Sequence, residues 1–203
     1  PQRGRVGQPS VPLSLNADAV HAIGLKIGRR SASMILMDFV GKVRGRIDQT
    51  YLYPTPGQVS AFAEQALVSI EETLPPDIAG RIAGLGIAMP FELWNWAEQV
   101  GASRGEMDAW RTFDAVEAIQ ALTPHPVFLQ NDATAACGAE LVFGAGPAFS
   151  DFLYLFVGFF IGGGIVLNHA VYPGRTGMAG AIGPLPVSVG DGLPEQILNH
   201  ASI

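Results

Sequence analysis

Val127-Phe128-Leu129-Gln130-Asn131-Asp132-Ala133-Thr134-Ala135-Ala136-Cys137-Gly138-Ala139-Glu140 is the stretch on which the reading of the whole chain turns. A β-branched and aromatic run, Val127 to Leu129, ends in polar residues, and a helical pattern of small residues follows from Ala133 to Phe143. Asn131 and Asp132 therefore stand at the carboxyl end of a strand, which in open α/β sheets is where ligands bind. Two readings apply to them. Asn and Asp lead the ranking of helix N-caps, so they can simply close the helix start. A carboxylate beside an amide can also accept from and donate to sugar hydroxyls, and the carboxylate can take a proton from one of them.

Upstream, three short apolar-rich segments, His21–Ile27, Ser33–Val40 and Val43–Tyr51, predict an antiparallel meander closed by Pro54-Thr55-Pro56-Gly57. Val59 to Leu74 has apolar residues at helical spacing and stops at Pro75-Pro76. Arg81 to Ala88 predicts a strand containing Gly84 and Gly86, where another backbone or a ligand can approach closely. Phe91 to Gly105, where Trp94 and Trp96 alternate with polar residues, is too short to decide between helix and loop, and Met107 to Leu122 is helical in its second half. Gly144-Ala145-Gly146-Pro147 closes the helix after Asp132. Strands are then expected at Phe152–Val157, Gly164–Asn168 and Val171-Tyr172, and a helix from Leu193-Pro194. This order gives an α/β chain with a linker at 1–17, a first lobe at 18–148 and the start of a second at 149–203. The second lacks the later alternation that buries a sheet on both faces, so it is expected to be truncated and to expose a wide apolar face.

Apolar residues make up 48% of the 203, enough for a sizeable core. The single cysteine, Cys137, excludes an internal disulfide and a multi-cysteine zinc site within this sequence. Phe152 to Leu167 is interrupted by glycines and falls short of the ~18 apolar residues of a membrane span, so it is expected to form two buried strands. With no signal-peptide pattern at the amino terminus, the expected location is cytoplasmic. The net charge of −6 is uneven, +6 over the first 46 residues and −12 beyond them. The body as a whole is thus poorly suited to nucleic acid, although its amino-terminal end can lie beside it.

Three marks in order carry a resemblance: Gly86-Ile87-Ala88-Met89-Pro90, then Asn131-Asp132-Ala133-Thr134-Ala135-Ala136 with Glu140, then Ile161-Gly162-Gly163-Gly164-Ile165-Val166-Leu167-Asn168 leading to Gly174, Gly177, Ala179-Gly180 and Ile182-Gly183. Over residues 18–203 the chain resembles the ROK family of bacterial sugar kinases and sugar-responsive transcriptional repressors. The resemblance implies an actin/hexokinase-like (ribonuclease H-like) fold, its first lobe complete and its second truncated. It implies sugar contact by Asn131 and Asp132, with Asp132 as the general base if the chain were a kinase.

Three departures bear on activity. Family kinases resemble Asp-x-Gly-Gly-Thr at the first strand turn, where this sequence has Lys26-Ile27-Gly28-Arg29-Arg30; an ammonium cannot coordinate Mg²⁺. Their second phosphate loop resembles Gly-Thr-Gly before the triple glycine, and here two large rings intervene in Gly158-Phe159-Phe160-Ile161. Phosphoryl transfer depends on positioning and on neutralising charge around the phosphates, so these degenerate loops, at Lys26, Gly28, Arg29 and Gly162, Gly163, Gly164, argue against an enzyme. Finally, the family's Glu-x-Gly-His and its cysteine cluster are replaced by Ala181-Ile182-Gly183-Pro184 with no cysteine after it, so no metal and no cofactor are expected, and two sugar contacts are missing.

The remaining candidates each carry a plainer reading. Gly162 to Gly164 resemble a nucleotide-facing loop but read as a tight hairpin beside Phe159 and Phe160. Lys26, Arg29 and Arg30 either bind an anion or form a solvated turn, the turn being favoured. Trp94, Trp96 and Trp110 either stack on a sugar or pack the core. The histidines at 21, 125, 169 and 200 lack metal-ligand spacing. Arg3-Gly4-Arg5-Val6-Gly7-Gln8-Pro9 resembles the wing and linker after the winged helix-turn-helix of ROK repressors. That resemblance implies a DNA-binding head upstream of Pro1, a sugar or sugar-derivative effector and a homodimer. The alternative is an ATP-dependent sugar kinase.

Overall fold

The computed structural model describes residues 12–188, 190 and 193–197. The motif at Arg3–Pro9 and His200 lie outside the described residues. Strands β1 (His21–Ile27), β2 (Ser31–Asp38) and β3 (Val43–Thr50) form the expected antiparallel meander. Helix α1 (Pro56–Thr73) starts on Thr55, whose hydroxyl accepts from the Gln58 amide, with Pro56 at the first position where its missing N–H costs nothing. Strand β4 (Ile82–Met89) lies parallel to β1, helix α2 spans Ala115–Gln120, and β5 (Val127–Asn131) lies parallel to β4. The sheet order is β3-β2-β1-β4-β5.

Alternate residues of β1 and β2 supply one buried face, Ile23, Leu25 and Ile27 with Met34 and Leu36. They share one core with Leu85 and Ile87 of β4, with Val59, Phe62, Leu67 and Ile70 of α1, and with Ile119 of α2. The undecided segment from Phe91 folds as short turns of helix, Leu93–Trp96, Ala97–Val100 and Arg104–Asp108. Leu93, Ala97, Val100 and Met107 are buried against the same core.

Helix α3 (Asp132–Phe143) leads to a second, three-stranded antiparallel sheet, β6 (Phe152–Val157), β7 (Ile161–Leu167) and β8 (Ala170–Val171), in that order. Here three expectations are corrected. The triple glycine is not a hairpin turn: the turn is Gly158–Phe160, and Gly162 to Gly164 lie inside β7, with Gly162 and Gly164 facing α3 and Gly163 facing the Tyr154 carbonyl and Ile182. A methyl group on Gly162 would come within 2.8 Å of the Ala133 Cβ, and one on Gly164 would collide with Cys137. Nor are both strands buried. Leu153, Leu155 and Val157 of β6 are more than half exposed, the wide apolar face anticipated for this part of the chain. The helix expected from Leu193 is instead a strand, β10 (Glu195–Gln196), paired antiparallel with β9 (Pro186–Val187). Among the described residues no helix is long and apolar enough to cross a membrane.

Candidate functional site

The first turn of α3 brings the two leading residues together. The Asn131 Oδ1 accepts from the amides of Ala133 at 3.1 Å and Thr134 at 3.2 Å, so the capping role is realised and satisfies two of the orphan donors of the helix start. This use occupies only the amide oxygen; an asparagine keeps an NH₂ with two donors. Asp132 accepts from the Ala133 amide at 2.9 Å. Burial pushes the Asp132 carboxyl above its ordinary range, against the pull of the Ala133 amide, the Lys26 ammonium and its own amide. A carboxylate kept part-way out of water, with a cation in range, is a group that a hydroxyl-bearing ligand can hydrogen-bond with advantage.

Lys26 reaches Asp132 by sheet register. It aligns with Ala88 on β4, and Ala88 aligns with Gln130 on β5, so all three stand near the carboxyl ends of parallel strands. Lys26 itself is exposed. Gly28 closes the β1–β2 turn by donating its N–H to the Ser31 carbonyl at 2.8 Å, and its carbonyl accepts from the Tyr51 hydroxyl at 2.8 Å. Arg30 is solvated as expected.

Arg29 departs from the solvated-turn reading. Its guanidinium carbon lies 3.6 Å from the centre of the Phe159 ring, and one terminal nitrogen donates to the Gln99 carbonyl at 3.1 Å. Phe159 meets Phe160 edge-on at 4.8 Å between ring centres, and Phe160 lies 4.4 Å from Trp96. One stack therefore joins the β1–β2 turn, the 93–100 segment and the β6–β7 turn. It occupies the two turns that the resemblance matches to phosphate loops. The Arg29 Nε is buried there without a partner.

The other two tryptophans line one cleft, and only Trp110 is fully buried. Trp110 is buried with its indole N–H donating to the Pro54 carbonyl at 3.0 Å, which is packing with a satisfied donor. Trp94 lines a cleft of about 720 Å³ together with Pro90, Phe91, Phe113, Thr176 and Met178. Leu129, two residues before Asn131, also lines it. Its size falls within the roughly 300–1,000 Å³ of small-molecule sites. Phe91, Phe113 and Thr176 went unnoticed in the sequence, because a cleft wall assembled from three distant segments has no spacing to betray it. A smaller hollow of about 370 Å³ lies between β3 and α1.

Among the described residues no three of His, Cys, Asp and Glu are grouped to hold a metal ion. Lys26 offers no oxygen where family kinases resemble a metal-holding carboxylate, and Ala181 to Pro184 offer no side-chain ligand. The residues present do not fit a magnesium or zinc site of that kind.

The two sheets joined through α3, with polar residues at the parallel strand ends, define an α/β protein of the actin/hexokinase-like class. The chain belongs to the ROK family, whose defining pattern matches residues 22–196. It is 27% identical over 192 residues to the xylose repressor of Caldicellulosiruptor bescii, covering 93% of this chain and 47% of that protein. A ROK family transcriptional regulator, a homologue of the E. coli MLC protein, matches 96% of this chain and 50% of its own with a TM-score of 0.69 at 20% identity. The ROK hexokinase from Thermus thermophilus matches 90% of this chain and 60% of its own, with a TM-score of 0.65 and 25% identity. The chain thus spans about half the length of the repressor it matches.

Proposed function

We propose that this chain is the effector-binding body of a ROK-type transcriptional regulator, which senses a sugar or sugar derivative at Asn131 and Asp132 and does not phosphorylate it. The observation that carries this reading is the stack of Arg29, Phe159, Phe160 and Trp96. A phosphate loop needs small residues and open backbone donors. Here three rings and a guanidinium fill the matching turns, and Lys26 replaces the acid.

The relatives named as repressors support the regulator branch, while the similar hexokinase keeps the sugar kinase as the competing reading. In the proposed mechanism Asp132 accepts from a ligand hydroxyl and the free NH₂ of Asn131 donates to another oxygen. Binding shifts the population between two arrangements of the sheets, and thereby the placing of a DNA-binding head in a homodimer. DNA is thus a partner of the whole protein through a segment outside this sequence.

The test is calorimetric titration with D-xylose, D-glucose, amino sugars and their phosphates. A saturable heat with one of them, lost in Asp132→Asn, is the expected result. Silence across the panel overturns the sugar-sensing reading.

A further inference from the structure

Helix α3 touches more than the ligand end of the sheet. At its far end the Phe143 ring lies over Gly41, which sits in the β2–β3 turn with φ +85°; a methyl there would come within 2.6 Å of two ring carbons. That turn is built on Asp38, whose buried carboxylate accepts from the amides of Val40 at 3.1 Å and Lys42 at 2.9 Å and from the Arg44 Nε at 2.6 Å. Arg44 also donates to Asp18 at 3.1 Å, and the Phe39 amide donates to the Ala17 carbonyl at 3.0 Å. Ala17 to Ala19 form the short 3₁₀ turn through which the amino-terminal segment enters the sheet. The same turn at residues 39–42 therefore holds both the end of α3 and the root of the arm.

We propose that α3 is a strut coupling the Asp132 end of the sheet, and the second sheet packed along it, to the root of the amino-terminal arm. Its meaning for regulation rests on the function proposed above; its physical content does not. Ala133, Thr134 and Cys137 are buried on α3 against the glycine backbone of β7, with no compressible side chain between. Close-packed contacts pass displacement on instead of absorbing it. A helix of 12 residues is about 18 Å long, so a shift imposed at Asp132 or along β7 appears at Phe143 and presses on Gly41. There the half-exposed Phe143 ring bears on Gly41, in the turn whose amides Asp38 and Ala17 hold, so a push that the ring does not absorb by turning toward solvent disturbs those amides. The strut gives the ligand end of the sheet a mechanical route to the arm that needs no contact between ligand and arm.

Hydrogen exchange on the intact chain, with no sugar added, tests this. Gly164→Ala overfills the contact with Cys137, and Cys137→Ala loosens the same contact without a clash. Each is expected to raise exchange at Phe39, Val40 and Lys42 about tenfold while leaving α1 and β4 unchanged. In a Phe143→Ala background, where the strut no longer meets the turn, adding either substitution produces no further change. Wild-type protection at those amides in the folded Cys137→Ala chain overturns the proposal, as do effects that simply add to those of Phe143→Ala. Because no ligand enters the experiment, failure to bind sugar counts against the proposed function alone.

Discussion

Asp132 is held between opposing influences, burial that favours its neutral form and a backbone amide with a lysine that favour its charge. Burial prevails, and the sign of the consequence follows. Because the folded chain binds this proton more tightly than the unfolded one, Asp132 subtracts stability as pH rises from the ordinary carboxylate value through its raised folded value. Asp132→Asn is therefore expected to raise stability at pH 7, with the difference shrinking in acid, as read by melting curves at several pH values. Asp38 has the reverse sign. Its burial raises the carboxyl, but the Lys42 amide, the Arg44 guanidinium and the Val40 amide together hold it below the usual value. Its contribution is present above the ordinary carboxylate range and is lost as pH falls through the lowered value, so the β2–β3 turn should lose amide protection in acid, and in Asp38→Asn at every pH. Asn131 caps α3 through its side-chain oxygen, and Asn131→Ala should cost about 1 kcal/mol in denaturant unfolding. That both residues stood at a strand end was legible in the sequence, since period and polarity change together at Gln130. That one side chain serves the helix and retains donors for a ligand was not, because capping and contact use the same residue types.

Strands β1 and β2 and helix α1 were legible because their alternation and 3.6-residue period are set by one buried face each. Strand β10 was not: Glu195–Gln196 is exposed and two residues long, too short for an alternation to show. The triple glycine misled for a related reason. Glycine signals a turn and a close approach equally, and in β7 it serves the approach of α3, so Gly164→Val should cost at least about 1–3 kcal/mol in unfolding experiments. The ring stack joins elements far apart in sequence, beyond the reach of any local pattern. Arg29→Ala removes the contact with Phe159 and the bond to Gln99 and is expected to destabilise the chain by about 1 kcal/mol, with faster exchange confined to the β1–β2 and β6–β7 turns.

Taken whole, the chain belongs to the ROK family over residues 22–196, and Lys26, Arg29, Phe159 and Phe160 stand at the turns where the resemblance places phosphate loops. The family and the fold were legible because glycines and small residues at fixed places are demanded by packing, as Gly162 and Gly164 against α3 make plain. The cleft was not, because it is walled by Phe91, Phe113 and Thr176 from three separate segments. The exposed row of Leu153, Leu155 and Val157 should tolerate Leu155→Lys within about 0.5 kcal/mol while lowering binding of a hydrophobic dye. The most direct measurement of the central claim is ADP release with Mg-ATP and a panel of pentoses, hexoses and amino sugars. The account predicts no turnover above background with any of them; turnover that disappears in Asp132→Asn would contradict it.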